Sequence, residues 1–400
     1  MSEDTGWPQF WEGFRVVDLS VGEQAVRIWL EPEASQSVYC GRCRRPVTGV
    51  HERVRREVRD LPMVGHAVLL QVQLLRLACP DCGRCLQHVA WLERHSRLTR
   101  RLAQAAAHHC QRMPIKHVAE MFGLHWSTVR QLDRRRLQAT VEALPSPAPR
   151  RLVMDEFALF KGHRYASVIL DADTRRVLWV AEGRSRLSVR PFFESLGPEG
   201  CARIEAVAMD MNSAFDLEVR QHCRRARIVY DLFHVVAKYA REVTSRVRVD
   251  VANTLRHDKP GRRVVKRAHW LLLRNRDSLA SGERVRLGEV LDANRPLMTC
   301  YVMNEQLKAL WSAPDPWEWR RRWREWLEHA RQSQIADLQR FAARLRPYWR
   351  GILSRVRWPM HTGQLEGINN RIKVIKRMAY GYRDSNYFFL KIRAAFPGIT

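Results

Sequence analysis

Apolar and polar positions alternate in two stretches of the first hundred residues, AVRIWLE (25–31) and HAVLLQVQLLRLA (66–78), with turn residues between them. A period of two puts one face of a strand into a core, so residues 1–95 read as a β-rich module. After it the period lengthens. Residues 96–143 are helical with a break at Pro114, and LPSPAPRR (144–151) is a proline-rich linker.

Beyond the linker, RRLVMD, HRYASVILD and RRVLWVAEG read as three consecutive strands. They are followed by a short helix VRPFFESL, a strand RIEAVAMD, a helix SAFDLEVRQHC and a strand ARIVYD. Three strands followed by helix–strand–helix–strand is the order of an RNase H-like core, whose first part spans 152–235. A long helical, arginine-rich stretch, 236–357, interrupts it before a C-terminal part, 358–400, that carries the helix LEGINNRIKVIKR. The expected fold class is therefore multidomain α+β: an N-terminal module, a helical pair, and an α/β core with an all-helical insertion.

Three acids occupy the ends of these elements. Asp155 closes the first core strand, Asp210 the fourth, and Glu366 lies at the start of the late helix. Two strand-end aspartates and a helix glutamate can converge on two divalent cations, and hard oxygen ligands suit Mg²⁺. Asp231, closing the fifth strand, rivals Asp210, and the order of elements favours Asp210. Glu156 follows Asp155 directly, and strand alternation sends it to the other face. Asp171 and Asp173 sit in a turn. On the late helix Glu366, Asn370, Lys373 and Arg377 share a face, flanked by Asn369 and Lys376, while Ile368, Ile372 and Ile375 form the apolar side. Such a face suits one metal-binding carboxylate and phosphate contacts along the helix.

Charge narrows the partner. Lys plus Arg number 69 against 42 acids, a net +27, which implies a polyanion. The cation of choice is arginine, the fork that grips phosphate, although a codon bias towards arginine explains part of that preference. There are 9 cysteines, and Cys40, Cys43, Cys79 and Cys82 form two CxxC knuckles able to hold one structural Zn²⁺, with a hairpin between them. Cys85 makes a second CxxC with Cys82, and Pro80 and Gly83 favour the Cys79/Cys82 knuckle. In IKHVAEMFGLHWSTVRQLDRR, Ala119, Gly123 and Val129 stand where a helix-turn-helix needs a small residue, a turn and a docking apolar residue. Its second helix, from about Ser127, would offer Thr128, Arg130, Gln131 and Arg134 to DNA. The N-terminus has no secretory signal and no stretch is apolar enough to span a membrane, so a cytoplasmic, nucleoid-associated protein is expected. In WEWRRRWREWLEHA the stripe Trp319, Trp323, Trp326 is either core or a platform for distorted DNA bases.

The stretches MDEFALFKGHRYASVILD, AVAMDMNSAF, IVYDLFHVV and MHTGQLEGINNRIKVIKRMAYGYRD resemble the ISL3 family of bacterial insertion-sequence transposases. The resemblance implies an N-terminal zinc ribbon, a helix-turn-helix and a DDE triad in an RNase H-like domain. That triad, on Asp155, Asp210 and Glu366, would cut and rejoin DNA with two Mg²⁺ or Mn²⁺ ions. It also implies that Asp231 and His234, within DLFH, are accessory. The partners implied are double-stranded DNA, as terminal inverted repeats and target, and a homodimer or higher homo-oligomer formed on it. A structure-selective nuclease remains open at this stage, as does a non-catalytic DNA-binding regulator.

Overall fold

The computed structural model describes residues 10–160, 164–360 and 362–399, apart from the side chain of residue 276. The first nine residues, read above for the missing secretory signal, lie outside it, as do 161–163 and 361 within the quoted motifs. The chain divides into two compact units, Met1–Ala143 with Ile375–Leu390, and Leu144–Val374 with Lys391–Thr400.

The first unit opens with strands β1 (Phe14–Val21), β2 (Ala25–Pro32), β3 (Val50–Met63), β4 (His66–Cys79) and β5 (Gly83–Leu86). They form one sheet ordered β1-β2-β4-β3, with β5 paired to β4. The two alternating stretches are β2 and β4, parallel neighbours whose inward residues Ile28, Leu30, Leu70 and Val72 are buried. The β3–β4 hairpin lies between the two CxxC knuckles, as expected, and turns through Val64 and Gly65, both at positive φ.

Helices α1 (Arg100–His109), α2 (Ile115–Phe122) and α3 (Trp126–Glu142) follow. Gly123 ends α2 at φ 58, a left-handed turn that a side chain would strain. Ala119 and Val129 are buried between the helices, as a helix-turn-helix requires. The second helix begins at Trp126, one residue before the expected Ser127, because His125 caps it by accepting from the Ser127 N–H.

Asp60 ties sheet to helices. It is 3% exposed and accepts from Trp11 Nε1 at 2.9 Å, Thr99 Oγ1 at 2.7 Å and Arg101 Nε at 2.7 Å. Arg59 reaches the carbonyls of Phe122 and Gly123 at the end of α2. The C-terminal segment of this unit packs on α3, where the Tyr387 hydroxyl bonds Asp133, a wholly buried carboxylate that Arg136 also holds.

The second unit contains a five-stranded sheet built from β6 (Arg151–Phe160), β7 (Arg164–Asp171), β8 (Val177–Glu182), β9 (Ala206–Met209) and β10 (Arg227–Tyr230). Their order is β10-β9-β6-β7-β8, with β7 antiparallel to both neighbours and β6, β9 and β10 parallel. Helix α4 (Arg186–Ala202) is longer than the expected 189–196. Gly197, at φ 71, breaks it, and Pro198 starts a second segment. Helix α5 (Ser213–His222) precedes β10.

The long stretch after β10 is helical: α6 (Leu232–Tyr239), α7 (Ser245–Thr254), α8 (Lys259–Arg267), α9 (His269–Leu273) and α10 (Ser281–Asp292). It continues as α11 (Arg295–Ala309), α12 (Pro316–Gln332), α13 (Ala336–Leu345) and α14 (Trp349–Arg357). Trp319, Trp323 and Trp326 are buried and stacked, with centroids 5.3 and 5.8 Å apart, and Trp326 Nε1 donates to Met303 O. The stripe is core, which removes those three rings as DNA platforms. This helical core is continuous with the apolar face of the sheet. The chain ends with α15 (Gly363–Met378), which runs from the second unit into the first, and α16 (Ser385–Ala395).

Candidate functional site

Three parallel strands run side by side, and the register fixes which residues are neighbours where β9 and β10 end. Val153 of β6 pairs with Ala208 of β9, and Met209 of β9 pairs with Tyr230 of β10. Two residues past the first pair lie Asp155 and Asp210; one residue past the second lie Asp210 and Asp231. The three aspartates therefore stand side by side on adjacent strands, at the strand spacing of roughly 4.8 Å. Only Asp210 and Asp231 follow strand ends; Asp155, expected to close its strand, lies in the middle of β6, whose pairing with β7 runs on through Phe160. Asp210 is the middle one. The apolar residues before them are 0–7% exposed, so all three carboxyls follow buried backbone.

The start of α15 closes the site. A cavity of about 300 Å³ is lined by Asp155, Asp231, His234, Glu366, Asn370 and Lys373, with Phe233, Thr362, Gly363 and Asn369 completing its wall. Glu366 is exposed in the first helical turn, where the helix dipole favours an acid. Ile368 and Ile372 bury the opposite side. Asn370 and Lys373 therefore face the cavity, as the helix-face reading anticipates. Lys376 and Arg377, further along, belong to the first unit.

The three aspartates differ in how well they are satisfied. Asp231 caps α6 by accepting from the Phe233 N–H at 3.1 Å, and accepts from the Thr362 N–H at 2.9 Å and the Thr362 hydroxyl. Burial alone would raise its pKa, but these bonds hold it below the usual carboxylate value. Asp231 thus fastens α6 to the segment leading into α15. Asp155 accepts from the Glu156 N–H at 2.8 Å and from Asn369 Nδ2 at 3.0 Å. Burial, helped by the charges of Asp210 and Glu156, nevertheless pushes it up to about 6. Asp210 is raised by burial too, and its Oδ1 is buried with no hydrogen-bond partner among the described residues.

Crowded, underbonded carboxylates at one rim cost energy unless a cation joins them. His234 lowers the pKa of Asp155, Asp210, Asp231 and Glu156 alike, so its ring faces the whole cluster. Glu156 is closer to the site than strand alternation implies. Arg184 pairs with it at 3.2 Å, its Oε2 is buried without a partner among the described residues, and after burial and Arg184 the charge of Asp210 acts on it. Asp171 and Asp173 are turn residues as expected, since Asp171 accepts from the Asp173 N–H and the Thr174 hydroxyl. Thr362 is the positioning group the sequence reading passed over, and Asn369, read only as flanking the Glu366 face, is a second; a hydroxyl just before a helix carrying a candidate ligand is the signal that could have found Thr362. The oxygen donors of Asp155, Asp210 and Glu366 are of the type Mg²⁺ or Mn²⁺ takes, but among the described residues only the four cysteines below bring their ligand atoms within 4.8 Å of one another.

The cysteine knuckles meet. The Sγ atoms of Cys40, Cys43, Cys79 and Cys82 all lie within 4.8 Å of one another. A tetrahedral zinc with Zn–S bonds of roughly 2.3 Å needs Sγ atoms about 3.8 Å apart, so the set fits one ion. Burial opposes a thiolate at Cys40, yet the N–H groups of Cys43 and Arg42 draw its pKa down. Burial and the neighbouring cysteines push Cys82 up. Four thiolates need a dication here. Cys85 comes within 3.2 Å of Cys40 Sγ, and burial with the Cys40 contact raises its pKa, which leaves it a thiol at the edge of the cluster.

On α3, Gln131 and Arg134 are exposed and Thr128 is half-buried. Arg130 is not free to read bases as expected. Its guanidinium pairs with Asp384 and lies over the rings of Trp126 and Tyr387, 5.6 and 5.3 Å from their centroids. The sequence pattern placed it on the recognition helix correctly but could not see the C-terminal segment that covers it. No helix among the described residues is long and apolar enough to cross a membrane.

Residues 152–392 match the family model described as a transposase, 87–137 the helix-turn-helix domain of transposase family ISL3, and 36–82 the zinc finger of transposases IS204, IS1001, IS1096 and IS1165. Among curated proteins, the chain is 51% identical to the transposase for insertion sequence element IS1001 of Bordetella parapertussis, over 97% of this chain and 96% of that one. It is 26% identical to the transposase for IS1557 of Mycobacterium tuberculosis, over 88% and 84%.

Proposed function

Because the chain belongs to the ISL3 family of transposases, we propose that it cuts and rejoins DNA at the ends of an insertion sequence through one carboxylate centre. The catalytic residues are Asp155, Asp210 and Glu366, in an RNase H-like core interrupted by α6–α14. The observation that carries this reading is the parallel register that sets Asp155 beside Asp210, with Asp210 Oδ1 left without a partner among the described residues. The sheet order, with one antiparallel strand among five, supports the core assignment.

Two Mg²⁺ or Mn²⁺ ions bound by these carboxylates would supply a nucleophile at neutral pH and neutralise charge on the phosphodiester. The chain's own residues do the positioning. Asn369 holds one oxygen of Asp155 by its side-chain amide. Asp231 and Thr362 anchor the segment that presents Glu366. His234 balances the negative cluster, and Asn370 and Lys373 bind phosphate oxygens along the entering strand. Lys376 and Arg377, in the first unit, are further candidates for phosphate contact in their own right.

Zn²⁺ on Cys40, Cys43, Cys79 and Cys82 holds the ribbon, and α3 presents Thr128, Gln131 and Arg134 to the terminal repeats. Arg130 joins them only when released from Asp384. Pairing two ends for joining requires a dimer or higher homo-oligomer on DNA.

Glu366→Gln keeps shape and removes charge. It should cost cleavage and strand transfer together about 10³-fold or more, the loss of several kcal/mol of charge stabilisation. DNA binding in a gel shift should be retained. Normal cleavage by this variant would place the third ligand elsewhere.

A further inference from the structure

Outside the carboxylate rim, the strongest unexplained charge lies in the first unit. A pocket of about 60 Å³ beside β4 and β5 is lined by Arg42, Arg44, Arg56, Arg94, Arg100 and His88, over an apolar floor that includes Leu74 and Val89. Glu93 is the one acid on its wall. Neighbouring arginines elsewhere in this unit are paired: Arg45 with Asp81, Arg76 with Glu52, Arg101 with Asp60. Among the described residues, no carboxylate makes an ion pair with any of the five arginines of the pocket.

Like charges gathered over apolar side chains do not stabilise a fold; they repel one another. The strain shows at the two half-buried members. Burial, then the charge of nearby Arg97, lowers the pKa of Arg56. Burial, then Arg44 and Arg100, lowers that of His88. Such a site gains most from an anion that accepts several guanidinium hydrogen bonds at once.

We propose that this pocket seats a phosphate of the DNA backbone, anchoring the zinc ribbon on the duplex independently of base reading by α3. This rests on the reading of the chain as a DNA-binding transposase. Arg42, Arg44, Arg94 and Arg100 are exposed around half-buried Arg56, so the cationic surface extends past the pocket mouth. A continuous backbone can follow that surface, whereas a free phosphate ion would use only its centre. The contact fixes position and carries no sequence information.

The test uses the full-length, zinc-loaded protein without divalent catalytic ions, so it is independent of the carboxylate chemistry. Binding of a labelled repeat-end duplex and of a random duplex is measured across a KCl series for wild type, Arg56→Gln, Arg100→Gln and the double variant. The double variant should lower the slope of log affinity against log salt by about 1 and weaken both duplexes by the same factor. An unchanged slope overturns the proposal. So does a loss confined to the repeat duplex, which would mean base reading. A melt raised by inorganic phosphate in wild type and not in Arg56→Gln, with DNA slopes unchanged, would make the pocket a free-anion site and also overturn it. Failure of wild type to bind either duplex would defeat the transposase reading itself, and the pocket's role with it. Zinc content checks the fold of each variant, and exposed Arg100→Gln alone carries the test if Arg56→Gln loses its metal.

Discussion

Two carboxylates, one in each unit, are built in opposite ways. Asp60 is 3% exposed, and every oxygen is occupied by Trp11, Thr99, Arg101 and its neighbour's N–H. Burial would raise its pKa, yet those bonds hold it below the usual value. Asp210 follows a wholly buried strand, has one oxygen without a partner among the described residues, and is raised by burial. The first acid completes a structure; the second waits for one. A buried acid satisfied by its own chain is mortar, and one left short beside other acids marks a site for a cation or substrate.

The largest effect should come from removing the metal of the first unit. Zinc binding to thiolates is coupled to folding by about 10–16 kcal/mol in small zinc modules. Chelation should therefore unfold the ribbon while leaving the second unit's melt in place, as read by calorimetry with elemental analysis. A zinc-free protein with an unchanged first transition would contradict the cluster's structural role.

Asp60→Ala comes next. It leaves Arg101 without its partner and Thr99 and Trp11 without their acceptor, at about 3–5 kcal/mol for a broken buried pair. Thermal melting should show the loss in the first transition. A cost under about 1 kcal/mol would mean that water replaces the carboxylate and the joint is not held there.

How much of this contrast could be read in advance depended on the residue. The strand order was legible because apolar runs alternate with helices at readable boundaries, and Asp210 follows the end of β9 as read; Asp155 was read as a strand end but lies inside β6, because the apolar alternation resumes in FALF. Strand β3 was not legible, since VHERVRREVRDLPM carries charge on both faces and its first half is exposed. The clasp of Asp384 and Tyr387 on α3 joins residues 254 apart in sequence, and no local pattern encodes it. The bonding of Asp60 and the unsatisfied oxygen of Asp210 are likewise tertiary facts.

Acidity should separate the two regions by sign. Asp60 has a folded pKa below its unfolded value, so its contribution is complete above roughly pH 4 and is lost as pH falls through the folded pKa. Asp155 is raised to about 6, so its own contribution to the metal-free second unit falls as pH rises between roughly pH 4 and 6, against the depressed Asp231 and Glu218 of the same unit. Variants isolate the two groups: in metal-free buffer from pH 3 to 7, Asp60→Asn should fall further below wild type as pH rises, and Asp155→Asn should gain on wild type. Parallel trends would break the comparison.

A smaller effect belongs to Tyr387→Phe. It removes a hydroxyl that bonds the buried Asp133 while Arg136 keeps the other contact, at about 1–3 kcal/mol. Chemical denaturation would show whether the first transition moves. No change would mean that this hydroxyl bond does not help hold the C-terminal segment to α3, leaving the Arg130–Asp384 pair to do so.

The most direct measurement is a thermal titration of wild type and Asp210→Asn with Mg²⁺, on full-length protein without DNA. If the rim is short of a cation, Asp210→Asn melts at or above wild type in metal-free buffer, because it removes an uncompensated buried charge. Added Mg²⁺ should then stabilise wild type and leave the variant unmoved. If Asp210→Asn melts well below wild type without metal, and Mg²⁺ shifts both alike, Asp210 is mortar like Asp60 and the carboxylate centre is misplaced.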